Sequence, residues 1–111
     1  MPNPSGDKGA RFERSIVDYL RLNGYPAALR TRTPGEEADR GDIAGLPLTL
    51  ELKDQKTLCL PLWWAQVTKA ATKTLLPPVI IHKRKGRSDP AQQWVTMDLL
   101  TLLELLESTA T

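Results

Sequence analysis

The segment Gly41-Asp42-Ile43-Ala44-Gly45-Leu46-Pro47-Leu48-Thr49-Leu50-Glu51-Leu52-Lys53 constrains the fold more than any other part of the chain. Its second half alternates apolar and polar side chains, which is the period of a β-strand. Leu48, Leu50 and Leu52 project to one face, and Thr49, Glu51 and Lys53 to the other. Gly45-Leu46-Pro47 is a tight-turn signal, so Gly41 to Gly45 and Pro47 to Lys53 read as the two arms of a hairpin. With the hairpin midpoint between Leu46 and Pro47, Asp42 falls across from Glu51. Directly opposed residues have Cβ atoms about 4.5–5.5 Å apart, and two carboxylates at that distance repel. A divalent cation between them removes the repulsion. Lys53, one strand step beyond Glu51, then stands beside it.

This set has a reaction in it. Hydrolysis of a phosphodiester needs an activated water and stabilisation of charge at phosphorus and the leaving oxygen. A magnesium ion on two carboxylates supplies the first and part of the second, and a nearby lysine stabilises developing charge or orients the water. Taken without context, Glu-Leu-Lys also fits an ordinary solvated strand face. His82 and Cys59 are each the single residue of their type, so a Cys/His zinc site is excluded and a metal site must rest on carboxylates, which suits a hard cation. A lone cysteine forms no disulfide within the chain and fits a reducing compartment.

The remaining segments supply helices and further strands. Ser5 can cap a helix to about Asn23, with Phe12, Ile16, Val17 and Leu20 as its apolar stripe and Gly24 as its stop. Ala27 to Thr33 reads as a strand, followed by a polar loop to Arg40. Pro61 opens a second helix to about Leu75, with Trp64, Val67, Ala71 and Leu75 on its apolar side and Gln66, Lys69 and Lys73 on a polar stripe. Val79-Ile80-Ile81 is a short buried strand, and Gln93 to Met97 is another. Asp98 caps a last helix to about Glu107, so rich in leucine that it is either deeply buried or half of a subunit interface. The order α-β-β-β-α-β-β-α predicts one α/β (α+β) domain over residues 1–111, a mixed β-sheet flanked by helices.

Charge narrows the partners. Lys and Arg number 15 against 13 acids, but Asp98, Glu104 and Glu107 lie in a C-terminal stretch without a basic residue. The positive excess belongs to the rest of the chain, at Lys8, Arg11 and Arg14, at Arg30 and Arg32, and in Lys83-Arg84-Lys85-Gly86-Arg87. Such clusters can contact phosphates, and they also fit solvated surface. No stretch reaches the roughly 20 apolar residues that span a bilayer, and Met1 to Lys8 holds no apolar signal-peptide core. The expected location is the cytoplasm of a bacterium or a phage-infected host, with no membrane partner.

Asp42 with Glu51-Leu52-Lys53 resembles the signature of the PD-(D/E)xK nuclease superfamily, an Asp at a strand start, a turn, then (Asp/Glu)-x-Lys on the next strand. Gly41 stands where that signature usually has proline. Gly9-Ala10-Arg11-Phe12-Glu13-Arg14, then Gly24-Tyr25, Arg30 and Arg32, and the Gly-Asp-Ile at 41–43 are similar to archaeal-type and phage Holliday junction resolvases. The likeness covers residues 9 to about 55; beyond that, only the element order agrees. It implies a restriction-endonuclease-like core and a magnesium-dependent endonuclease, with Mn²⁺ as a substitute. Asp42 and Glu51 would be metal ligands, with the Leu52 backbone carbonyl and Glu13 as further ligands. Lys53 would be the catalytic lysine, and Glu13 would complete the acidic cluster. Gln66 resembles a glutamine that some members carry on the helix after the motif. Arg11, Arg14, Arg30, Arg32, Lys69, Lys83, Arg84, Lys85 and Arg87 would contact the DNA backbone, which sets position rather than sequence. Trp63, Trp64 and Trp94 could stack on bases, although core or interface packing is the commoner use of such residues.

A four-way junction needs two matched cuts, so a resolvase is expected to be a homodimer. The last helix and Trp63-Trp64 offer apolar surface for it. Three other readings remain open on the sequence: another nuclease of the superfamily (a virus-type replication-repair enzyme or a nickase), a non-catalytic DNA-binding protein, and a purely structural dimer.

Overall fold

The computed structural model describes residues 4–31 and 41–109. In chain order its elements are α1 (Pro4–Leu22), β1 (Leu29–Arg30), β2 (Ile43–Ala44), β3 (Thr49–Lys53), α2 (Leu60–Thr74), β4 (Pro78–His82), a 3₁₀ turn (Pro90–Gln92), β5 (Trp94–Thr96) and α3 (Leu99–Thr109). The five strands form one mixed sheet in the spatial order β1-β2-β3-β4-β5. Only β3 and β4 run parallel, joined by the α2 crossover; the other neighbours are antiparallel. The α-β-β-β-α-β-β-α order and the mixed sheet agree with the sequence.

The sheet separates two apolar clusters. Phe12, Ile16 and Val17 of α1 bury themselves against Ile43, Leu50, Leu52 and Val79. Trp63 and Val67 of α2 pack with Ile80. The alternation along β3 thus works as the sequence requires, with Leu50 and Leu52 on the α1 side. The opposite side is not a solvated face, because Thr49 and Glu51 are buried there. The Thr49 hydroxyl donates to the Leu76 carbonyl at 2.9 Å, which ties the end of the crossover to the start of β3.

Several local expectations change. Ser5 lies inside α1, which already includes Pro4, a residue whose missing N–H costs nothing in a first helical turn. Gly24 does end the helix: its φ is +100°, and the Tyr25 N–H returns to the Leu20 carbonyl at 3.0 Å. β1 has two residues where Ala27 to Thr33 was expected, and the predicted strand's last two residues, 32 and 33, lie outside the described part. On α2 the buried side is Trp63, Val67 and Ala70, one step around the helix from Trp64, Val67, Ala71 and Leu75. Leu75 is instead a left-handed C-cap with φ 60° and is exposed.

Asp98 caps α3 as expected. Its Oδ1 accepts from the Thr101 N–H at 2.9 Å and from the Thr101 hydroxyl at 2.5 Å. The hydroxyl bond foremost, then the backbone bond, holds the Asp98 carboxyl below the usual carboxylate range. The helix is not deeply buried in the single chain. Leu105 packs on the α1 cluster, whereas Leu99, Leu100, Leu102, Leu103 and Leu106 are exposed. No helix among the described residues is long and apolar enough to cross a membrane.

Candidate active site

β2 and β3 pair with Ile43 opposite Leu50, and Asp42 and Glu51 are the next residues outward from that pair. Gly41 bends the chain into this position with φ +88°; a Cβ there would stand 2.7 Å from the Leu50 carbonyl oxygen. Proline, with φ held near −65°, cannot take that conformation. The Asp42 N–H donates to the Leu50 carbonyl at 2.6 Å. Its carboxylate reaches across to β3, where Oδ2 accepts from the Leu52 N–H at 2.7 Å.

The backbone of β3 explains which groups meet Asp42. Thr49 donates to Pro77, and Lys53 accepts from Lys83, both on the β4 side. Leu50 and Leu52 alternate with them and turn their N–H and C=O groups toward β2. The Leu52 carbonyl therefore faces the same side as the Asp42 carboxylate.

Glu13, Asp42, Glu51, Leu52 and Lys53 all line one open cavity of about 610 Å³, with Lys8, Gly9, Asp54, Gln55 and Lys56 around them. Glu13 comes from the α1 side of the sheet and is only 7% exposed; Glu51 comes from the α2 side and is 8% exposed. Burying charge is costly unless it is paired or ligated. Glu51 Oε1 lies 3.7 Å from Lys53 Nζ, and Glu13 Oε2 accepts from Arg30 Nε at 2.9 Å. At the rim, Lys8 Nζ lies 3.4 Å from Asp54.

Among the described residues, no group of three His, Cys, Asp or Glu side chains forms a cage for a metal ion. Two carboxylates and a backbone carbonyl remain a fitting all-oxygen set for Mg²⁺, which commonly keeps several waters and takes one or two carboxylates from the protein. Asp42, Glu51 and the Leu52 carbonyl are the residues that could supply such a set. Glu13 is held by Arg30 and stands as their neighbour in the cavity.

The expected DNA contacts divide into several environments. Arg11 and Arg14 are exposed on α1, and Lys69 on α2. Arg30 is committed in part to Glu13. Arg32 lies outside the described residues. Gln66 does not line the cavity: it sits beside the buried stripe of α2, and its Oε1 is buried with no hydrogen-bond partner among the described residues. In the basic loop, the Lys83 ammonium donates to the Arg84 carbonyl at 3.0 Å and to that of Arg87. Gln93 closes the same loop by donating to the carbonyls of Arg87 and Asp89. Lys85 and Arg87 are exposed, and the Arg84 guanidinium lies 4.3 Å over the Trp94 ring. Trp63 is 2% exposed, so it belongs to the core and offers neither a stacking surface nor an interface.

Sequence reasoning did not single out Gly9, Asp54, Gln55 or Lys56 as part of this cavity. Gly9 was legible in principle, since it precedes Glu13 by four residues and shares its helix face. Lys8 and Asp54 meet only because α1 crosses the end of β3, a tertiary fact with no local signature. No protein-family model, curated protein or solved structure matches the chain.

Proposed function

We propose that the protein is a magnesium-dependent, structure-selective DNA endonuclease of the PD-(D/E)xK type, a resolvase of four-way junctions acting as a homodimer. The observation that supports it most is the convergence of Glu13 of α1, Asp42 just before β2, and Glu51, Leu52 and Lys53 of β3 on one open polar cavity. A buried Glu, a neighbouring Lys and an Asp fixed by a backbone N–H are costly for a chain to assemble without a use for them.

Asp42, Glu51 and the Leu52 carbonyl would hold the Mg²⁺, Mn²⁺ substituting. Bound there, the ion supplies an acidified water and positive charge for a phosphodiester. The Leu52 N–H fixes the Asp42 carboxylate, so its oxygens do not have to be ordered when substrate arrives. Lys53 keeps a cation beside Glu51, where it can stabilise charge that develops on the phosphate or leaving oxygen. Arg30 holds Glu13 at the cavity wall. Lys8 and Lys56 give the rim cations for flanking phosphates, a contact that is strong at low salt and blind to sequence.

The test is cleavage of a four-way junction and of linear duplex with the same arms, in magnesium. Paired symmetric cuts on the junction alone are expected. Glu51→Gln and Lys53→Ala should each lower the cleavage rate at least about a hundredfold while junction binding persists. Equal cutting of both substrates would move the function to a general or repair nuclease with the same site. Binding without cutting by the wild-type protein would favour a non-catalytic DNA-binding protein, and cleavage surviving both substitutions would sink the site assignment.

A further inference from the structure

A second concavity, of about 780 Å³, opens beside the acidic cavity, and Lys8, Asp54, Gln55 and Lys56 border both. Its chemistry differs. Trp63 and His82 are in ring contact there, with centroids 5.7 Å apart. His82 Nε2 lies 2.8 Å from the Thr96 hydroxyl, giving this apolar floor a polar spot. Trp94, which is 49% exposed, forms a wall, and Lys83 and Lys85 bring cations to the edge.

Trp94 is braced rather than loose. Arg84 lies 4.3 Å over its ring, and the Arg84 N–H is pinned to Gln93 Oε1 at 2.6 Å. Cation–π contact holds an indole flat, and a half-exposed aromatic held flat at the mouth of a lysine-edged hollow is a stacking platform.

We infer that this hollow seats one unpaired nucleotide of the DNA strand whose adjacent phosphate lies in the acidic cavity, with Trp94 stacking on its base. The inference rests on the nuclease reading and deepens it by naming the substrate feature recognised. A base inside a duplex has both faces covered by its neighbours and cannot enter; an unstacked base at a branch, flap or junction already has one face open. The shared wall keeps the stacking platform and the hydrolytic centre within a short run of one strand. Selectivity for branched DNA then comes from the hollow, and the acidic cavity itself needs to distinguish nothing beyond a phosphodiester.

The experiment compares a blunt duplex with the same duplex carrying a single-stranded tail, with 2-aminopurine at the first unpaired position, in magnesium-free buffer so that nothing is cut. Wild-type protein should bind the tailed DNA more tightly and quench the probe. Trp94→Ala should weaken binding of the tailed duplex about tenfold, abolish the quenching and leave blunt-duplex binding unchanged. Trp94→Phe, which keeps a ring, should restore most of both. An equal loss on both duplexes, or quenching that survives Trp94→Ala, overturns the inference while leaving the nuclease reading intact. Failure of the wild-type protein to bind either DNA overturns both.

Discussion

At the scale of single residues, the molecule is decided by a few buried polar groups. Glu51 and Lys53 share the α2 side of β3, with opposite charges 3.7 Å apart. The isostere Glu51→Gln keeps the packing and removes the charge, so it separates a chemical role from a folding role. His82 behaves differently. It is buried between Trp63 and Thr96, and burial lowers its pKa from the ordinary value. The unfolded chain takes up a proton near pH 6.5 while the folded one still resists it. Stability is therefore complete above that value and falls as pH drops below it, by at most about 1.4 kcal/mol per pH unit from this group, until the folded histidine also protonates. Urea denaturation at about pH 5 and about pH 7.5 should show this loss, and His82→Gln should flatten it.

At the scale of elements, the hairpin was readable because its information is local. Alternation fixed the faces of β3, and the glycine-proline turn fixed the Ile43–Leu50 register, beyond which Asp42 and Glu51 line the same cavity. Burial of the Glu51 face was not readable, because the cover comes from α2, a separate element further along the chain. The same holds for Trp63 against Trp64: neighbouring aromatics on a helix differ only in which of them meets the sheet, and that depends on helix rotation about a distant strand. Glu13 lines the cavity, and its pairing with Arg30 depends on α1 lying over β1, which no local pattern announces. Gly41 takes a positive-φ conformation that rules proline out at that position. Gly41→Pro should cost about 3 kcal/mol or more of stability in urea denaturation. Gly41→Ala should cost about 1–3 kcal/mol for its positive φ and close approach to the Leu50 carbonyl.

At the scale of the whole molecule, the exposed leucines of α3 are the feature that a single chain leaves least explained. Five of them face outward on one short helix, a larger apolar display than monomeric proteins usually keep in water. The proposed homodimer would give them a cover. Sedimentation equilibrium should find a dimer for the natural chain, and the double substitution Leu99→Glu with Leu103→Glu should give a folded monomer that nicks junctions one strand at a time instead of making paired cuts. The topology also has a temporal side. Only four residues separate β2 from β3, whereas β3 reaches β4 through the whole of α2, and Glu13 must come back from α1. Short hairpins close in about 1–10 μs, and longer-range pairings follow more slowly. The two acidic side chains are thus gathered by the quickest-closing stretch of the chain, and their covering elements arrive afterwards, so that during collapse the carboxylates meet water and dissolved ions before they meet the rest of the protein.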